Sequence, residues 1–425
     1  MTYLESVRFL YSLGNEVQTA KLGLERMGAL LGALGNPERA YRVAHVAGTN
    51  GKGSTCALIE AGLRAAGVRT GLFTSPHLEK PTERIRVEGL DVAEAAFARA
   101  FGVVHQTAEK LALDCHPTYF ETVTAMAFWW FREMGVETAV VEVGLGGRLD
   151  ATNVVEPAVT AITAIDFDHQ GHLGETIEAI AAEKAGILKR GVPAVLAGQP
   201  HPQAAAVVEA RAAQMGAPVI RMGDFQIHDL LVDARGSSFR LEGQSACATF
   251  RANLECPLAG EHQIENAATA ALTLHQLGVS PEGMVQARWP GRLEQVAPNP
   301  DTILDGAHNP GSALALARYL RRFYSHRHIW MIFGVMNDKA AAEIAAVLFP
   351  LAQELILTAP SSPRAVRPED LAELAGGGHA EPNVAAALDF VRGRASAEDA
   401  IVITGSLYLV GEARAILRRH SNQWE

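Results

Sequence analysis

The chain has 425 residues, 48% of them apolar and 20% charged, and a formal net charge of −10 at pH 7. Such a length exceeds one ordinary core, so two domains are expected. The acidic balance excludes a broad nucleic-acid-binding face, which needs clustered Lys and Arg against phosphates, and leaves room for an anionic small molecule in a locally basic pocket.

Short apolar runs alternate with amphipathic helical stretches from about residue 42 onward. Strands are expected at Arg42–Ala47, Arg69–Thr74, Thr138–Val143, Ala158–Ile165 and Val192–Leu196. Helices are expected between them at Thr55–Ala66, Val92–Leu113, Phe120–Glu133 and Thr176–Leu188. That order predicts an α/β domain with a mainly parallel sheet. From Phe225 to Leu254 short strands and glycine turns predict a small antiparallel addition. A helix at Ile264–Leu277 precedes a Pro- and Gly-rich passage, Trp289-Pro290-Gly291 to Pro298-Asn299-Pro300, the natural linker. Alternation then resumes: strand Thr302–Leu304, helix Gly311–Phe323, strand Ile329–Phe333, helix Lys339–Phe349, and strands Glu354–Thr358 and Ala400–Thr404. The expected organisation is therefore an N-terminal P-loop ATPase domain (1–288), a linker (289–300) and a C-terminal Rossmann-like α/β domain (301–425).

The four cysteines, Cys56, Cys115, Cys247 and Cys256, make no C-x-x-C pair and no metal spacing, which suits a reducing cytoplasm. No signal peptide is expected, and no apolar run approaches the roughly 18–20 residues of a membrane span. No membrane or nucleic-acid partner is expected.

The most informative segment is His45-Val46-Ala47-Gly48-Thr49-Asn50-Gly51-Lys52-Gly53-Ser54. An apolar strand runs through a glycine turn into a helix, with a lysine and a hydroxyl at the junction. Such a turn closes backbone N–H groups on phosphate oxygens, adds the helix N-terminus and brings Lys52 to the β/γ charge. The strict pattern G-x-x-x-x-G-K-[ST] is not met, because Val46 replaces its first glycine and Gly53 separates Lys52 from Ser54.

Other side chains fall at strand ends, where open α/β sheets bind ligands. Ser75, in Thr74-Ser75-Pro76-His77, is either a Mg²⁺ ligand or part of a proline turn. Glu142, inside an apolar strand, needs a metal or a partner such as Arg148. His169 follows Asp166-Phe167-Asp168 and is an unusual ligand for hard Mg²⁺. Lys184 shares a stripe with Ile177, Ile180, Ala181, Ile187 and Leu188. It either snorkels or is buried with a depressed pKa, as a neutral amine able to take up CO₂. Asp305, at a strand tip in Asp305-Gly306-Ala307-His308-Asn309-Pro310, can hold a ribose and His308 can face reacting groups, while Asn309 can cap the next helix.

Taken in order, Gly48–Ser54, Ser75-Pro76-His77, Glu142–Asn153, Asp168-His169, Glu183–Ile187, Pro290–Glu294, Asp305–Pro310 and Thr404–Tyr408 resemble the folylpolyglutamate synthase/dihydrofolate synthase family of the Mur ligase superfamily. Asp338-Lys339 also resembles a family block, without an assigned role.

The resemblance implies an ATP-dependent ligase adding L-glutamate to dihydropteroate, to the tail of a reduced folate, or to both, through an acyl phosphate. It implies that Thr49, Asn50, Gly51 and Lys52 hold the triphosphate, with Asn266, Arg292 and Asp305 also on ATP. Ser75, Glu142 and His169 are the implied magnesium ligands, and Lys184 the implied carbamylated lysine serving a second Mg²⁺. Lys52, Lys184 and His308 are the expected catalytic residues. Lys21, Leu22, Gly23, Leu24, Thr118, Tyr119, Phe120, Glu121, Leu149, Asp150 and Ala151 are implied to line the pterin site, and His308 and Ser406 to seat glutamate. A cytoplasmic monomer is expected. Another Mur-type amino-acid ligase or a non-catalytic ATP-gated binding protein are the alternatives.

Overall fold

Apolar on both faces, Arg42–Ala47 (β1) is suited only to the middle of a sheet covered on both sides. The computed structural model describes residues 1–14, 23–111 and 116–419, and β1 lies inside an eight-stranded sheet. The other strands of this sheet are Thr70–Phe73 (β2), Ile85–Val87 (β3), Leu90–Asp91 (β4), Thr138–Glu142 (β5), Val159–Ile162 (β6), Ala194–Leu196 (β7) and Val219–Arg221 (β8). Their spatial order is β4-β3-β2-β5-β1-β6-β7-β8. From β2 to β8 neighbours run parallel, while β3 and β4 form an antiparallel edge. Phe225–Val232 (β9), Ser237–Gln244 (β10) and Thr249–Cys256 (β11) make the antiparallel addition as a separate three-stranded sheet.

The later strands are Glu294–Pro298 (β12), Asp301–Asp305 (β13), Ile329–Phe333 (β14), Glu354–Leu357 (β15), His379–Ala380 (β16) and Ala400–Thr404 (β17). They order as β12-β13-β17-β14-β15-β16, parallel except for β12 against β13. Residues 289–300, expected as a linker, thus contain a strand.

The chain divides into two compact units. One comprises Met1–Leu230, Ser238–Pro257 and Ile264–Ala287; the other comprises Leu231–Ser237, Leu258–Gln263 and Arg288–Glu425.

Expected strands shorten where the backbone serves another purpose. Ala158–Ile165 is reduced to β6, because residues beyond Ile162 leave the ladder and turn toward the glycine loop. The strand expected from Val192 starts at Ala194, after Pro193, which has no N–H to donate. The helix expected at Thr176–Leu188 is Ile177–Ala185, with the Thr176 side chain accepting from Ala179 N–H as its cap. Ala139 and Val141 of β5 pack into the core built with the helix Tyr119–Glu133. Alternation along the strand therefore sends Glu142 to the opposite face, the side of the helix Lys52–Ala65.

Among the described residues no helix is long and apolar enough to cross a membrane. A buried ion pair ties Glu25–Ala33 to Tyr119–Glu133: Arg26 Nη2 lies 2.8 Å from Glu121 Oε1, and the Glu121 side chain is 5% exposed. Removing the cation leaves a buried carboxylate uncompensated, so Arg26→Ala is expected to lower the unfolding free energy by about 3 kcal/mol in chemical denaturation.

Candidate active site

The turn after β1 is possible only with glycine at two positions. Gly48 has φ +150° and Gly51 φ +90°. A Cβ at Gly48 would overlap Thr163 Oγ1, and one at Gly51 would overlap Asn266 Oδ1. The loop is fastened to the segment after β6: Thr49 and Asn50 N–H both donate to Ala164 O, at 2.9 and 3.1 Å. Thr49 Oγ1 donates to Asp166 O and accepts from Asp166 N–H, each at 3.0 Å. These two amides, expected on phosphate, are therefore used within the fold. The helix start at Lys52, whose first-turn N–H groups lack intrahelical partners, is the part of the loop suited to an anion.

Two ammonium groups converge on one carbonyl. Lys52 Nζ donates to Gly48 O at 3.1 Å and Thr49 O at 3.1 Å, and Lys184 Nζ donates to Gly48 O at 2.8 Å. Lys184 is 5% exposed, which rules out snorkelling. Burial, and next the Lys52 charge, bring its pKa down to about 7, against the smaller pull of Asp168 and Asp150.

Its helix is held by close backbone packing. A Cβ on Gly147 would stand 2.7 Å from Glu183 O, and one on Gly186 would run into Arg148. Arg148 N–H donates to Glu183 O at 2.8 Å, and its guanidinium pairs with Glu183 Oε1 at 2.8 Å. Arg148, the possible partner of Glu142, is thus engaged with Glu183.

Glu142 is 4% exposed and ends β5 beside Val46 of β1. Its Oε2 accepts from Ser75 N–H at 3.1 Å, joining two expected metal ligands. His169, with φ +51°, lies on the loop after β6, its N–H donating to Asp168 Oδ1 at 2.9 Å. A buried carboxylate and a hydroxyl offer oxygen donors to a hard cation, so the set fits Mg²⁺, with His169 as the nitrogen outlier.

The segment expected to bind a pterin is mostly committed to structure. Thr118 and Glu121 form a capping box on the helix Tyr119–Glu133, and Glu121 also holds Arg26. Tyr119 is 2% exposed and belongs to the core. Phe120 is half-buried, its ring against Gly144, where any Cβ would overlap it. Asp150 is buried and accepts from Leu145 N–H at 2.9 Å and Thr152 N–H at 3.0 Å. Burial raises its pKa despite those bonds. Leu149 is half-buried and Ala151 buried beside it. Gly23 and Leu24 lead into the helix Glu25–Ala33; Lys21 and Leu22 lie outside the described residues.

One buried cation in this region escaped sequence reading. Arg84, 2% exposed, donates from Nε to His77 Nδ1 at 2.8 Å and stands 5.2 Å from the Tyr119 ring centre. An arginine closing a single 3-10 turn, Pro81–Arg84, gives no sequence signal of burial.

In the second unit Asp305 ends β13 beside Thr404 of β17. Its two oxygens accept from Leu293 and Ala307 N–H, each at 3.0 Å. Burial raises its pKa, opposed by the Arg292 charge. Arg292 Nη1 donates to Gly291 O at 3.1 Å. His308 Nδ1 is 2.7 Å from Gly306 O and so carries the hydrogen, which makes Nε2 the acceptor in the neutral ring. Asn309 caps the helix Pro310–Phe323, and Ser406 Oγ accepts from Leu409 N–H at 3.1 Å at the start of the helix Leu407–Arg419.

The depressed pKa of Lys184 has a stability consequence. Between about pH 7 and its ordinary value of 10.5 the unfolded chain binds the proton that the folded chain lacks, so this group makes stability rise with pH. In CO₂-free buffer, Lys184→Met is expected to flatten that rise, read from denaturant midpoints across the window.

Residues 46–274 match the Mur ligase middle domain and residues 291–407 the Mur ligase glutamate ligase domain. The chain is 37% identical over 436 residues to a folylpolyglutamate synthase of Lacticaseibacillus casei, covering 98% of this chain and 99% of that one. It is 36% identical to the dihydrofolate synthase/folylpolyglutamate synthase of Bacillus subtilis, over 94% and 95% of the two chains. Among solved structures, Mycobacterium tuberculosis folylpolyglutamate synthase complexed with ADP and AMPPCP aligns with TM-score 0.88 and 32% identity, covering 97% of this chain and 98% of that one. E. coli FolC in complex with DHPP and ADP aligns with TM-score 0.88 and 33% identity over 99% of both. With both Mur ligase domains in place and relatives matched end to end, the chain belongs to the folylpolyglutamate synthase/dihydrofolate synthase family of ATP-dependent ligases.

Proposed function

We propose that this chain joins L-glutamate to dihydropteroate and to the glutamate tail of reduced folates, using ATP. The observation that carries this reading is the meeting of Lys52 and Lys184 at Gly48 O, beside a helix N-terminus and the Glu142–Ser75 pair. That arrangement would put the Lys52 charge and a helix N-terminus where phosphates lie, with oxygen donors at the neighbouring strand ends.

A carboxylate is a poor acyl donor because oxide is a poor leaving group. In the proposed reaction one of its oxygens attacks the γ-phosphorus, the bond to the bridging oxygen breaks, and ADP departs. The glutamate amine then attacks the acyl carbon, phosphate leaves with the bonding electron pair, and the amine loses a proton. Lys52 and the first-turn N–H groups of its helix would stabilise charge on the phosphates and hold them in line. Ser75, Glu142 and His169 would hold Mg²⁺, which supplies further charge neutralisation at the phosphate oxygens.

Lys184, with its lowered pKa, would add its neutral amine to CO₂ and release a proton, the resulting carbamate offering an anionic oxygen to a second Mg²⁺. Asn50, through its side chain, Gly51 and Asn266 would complete the ATP site within residues 1–288. His308 and Ser406 would receive glutamate in the second unit. Phe120, rather than the core residue Tyr119, would offer its ring to the pterin, along with Leu149, Asp150 and Ala151. The proposed setting is a cytoplasmic monomer.

The direct test is phosphate release from ATP with Mg²⁺ and L-glutamate, comparing dihydropteroate with tetrahydrofolate and its one-carbon forms. Turnover that requires both glutamate and a pteroate or folate is expected; none with any of these acceptors overturns the reading. Glu142→Gln is expected to lower kcat/KM by roughly 10²-fold or more, through loss of metal-borne charge stabilisation. Lys184→Ala is expected to be inactive and to regain activity with added acetate or formate, which replace the carbamate oxygens. Full activity of Lys184→Ala without them excludes the carbamate.

A further inference from the structure

Three side chains with metal-ligating atoms, none of them assigned a role above, meet close to the helix cap Thr118. His105 and Glu109 lie one turn apart on the helix Glu94–Lys110, and His116 precedes Pro117 and the helix cap Thr118. One ligand atom from each falls within 4.8 Å of the others.

The two imidazoles face each other, with His105 Nδ1 3.3 Å from His116 Nε2. On the far side of its ring, His116 Nδ1 lies 2.8 Å from Pro117 O. A carbonyl only accepts, so Nδ1 carries the hydrogen and the neutral ring turns the lone pair of Nε2 toward His105. A carbonyl behind the ring is also how proteins fix the tautomer of a metal-binding histidine.

The spacing is informative too. It is long for an N–H donor bond, which is commonly about 2.9–3.0 Å. Two nitrogens bound to one tetrahedral zinc at about 2.0–2.1 Å would stand about 3.3–3.4 Å apart. Both rings are braced: the Phe9 ring centre is 4.6 Å from that of His105 and 5.3 Å from that of His116, and Phe101 stacks on His105 at 5.3 Å. Burial, and next the neighbouring His116, hold His105 below the ordinary histidine pKa, so the ring is readily neutral.

We propose that His105, Glu109 and His116 form a binding site for a divalent transition metal of the zinc class, with water completing a tetrahedral set. His116 ligates through Nε2. His105 ligates through Nδ1 after its hydrogen moves to Nε2, a tautomer change with no net proton loss. Glu109 supplies an anionic oxygen. The bound ion links the helix Glu94–Lys110 to the chain entering Tyr119–Glu133. This inference stands apart from the ligase reading and does not depend on it.

The test titrates Co²⁺ into the full chain with Mg²⁺ in excess, so that hard-cation sites are filled, and follows visible absorption. One Co²⁺ per chain with tetrahedral d–d bands, displaced by Zn²⁺, is expected. His105→Gln, His116→Gln and Glu109→Gln, each checked for folding by circular dichroism, are expected to weaken uptake by roughly tenfold or more. Zn²⁺ should raise the thermal midpoint of the parent and not of the histidine variants. Absence of uptake, uptake unchanged in the folded Glu109→Gln and histidine variants, or a near-ultraviolet thiolate band placing the ion on a cysteine would each overturn the proposal.

Discussion

Lys52 and Lys184 donate to the same oxygen, Gly48 O, although their charges repel and one of them is buried. Burial first, and the neighbouring Lys52 ammonium second, favour loss of a proton from Lys184, and its pKa falls accordingly. The carbonyl is fixed because Gly48 adopts a backbone conformation closed to side chains and because Thr163 occupies the space where a Cβ would go. One constraint thus holds both the Lys52 ammonium and the buried Lys184 amine. That constraint lies in the backbone rather than in any single reactive residue.

The same economy governs the surroundings. The segment after β6 breaks from the ladder so that Ala164 O can receive the loop amides and Asp166 can exchange bonds with Thr49. Gly147 and Gly186 remove the side chains that would keep the turn after β5 away from the helix Ile177–Ala185. Lys184 thereby reaches β1 without a flexible approach. Glu142 is directed by strand alternation to the face of the helix that Lys52 begins, where burial would be costly for a carboxylate without compensating groups.

Several residues singled out in the sequence have evident structural duties. Thr118 and Glu121 start a helix, Asn309 starts another, and Ser406 accepts from the first turn of a third. A cap fixes where a helix begins, and the helix beginnings are where the two units present backbone N–H groups. Phe120 differs from Tyr119 for a comparable reason: neighbours on a helix point to different sides, so one ring is buried in the core and the other stands over Gly144.

From sequence alone came the alternating α/β order, the strand–glycine turn–helix at Gly48–Ser54, the polar residues at strand ends and the apolar stripe carrying Lys184. These are local patterns of period and composition, set by backbone geometry within a few residues. Only the tertiary structure decided that Thr49 and Asn50 donate to Ala164, that Arg148 pairs with Glu183 rather than Glu142, and that Arg84 is buried against His77. It likewise decided that Glu294–Pro298 is a strand and that His105 faces His116. Each of these depends on partners brought from elsewhere in the chain, and a hydrogen bond or ion pair selects its partner by distance and desolvation, which no local pattern of residues encodes.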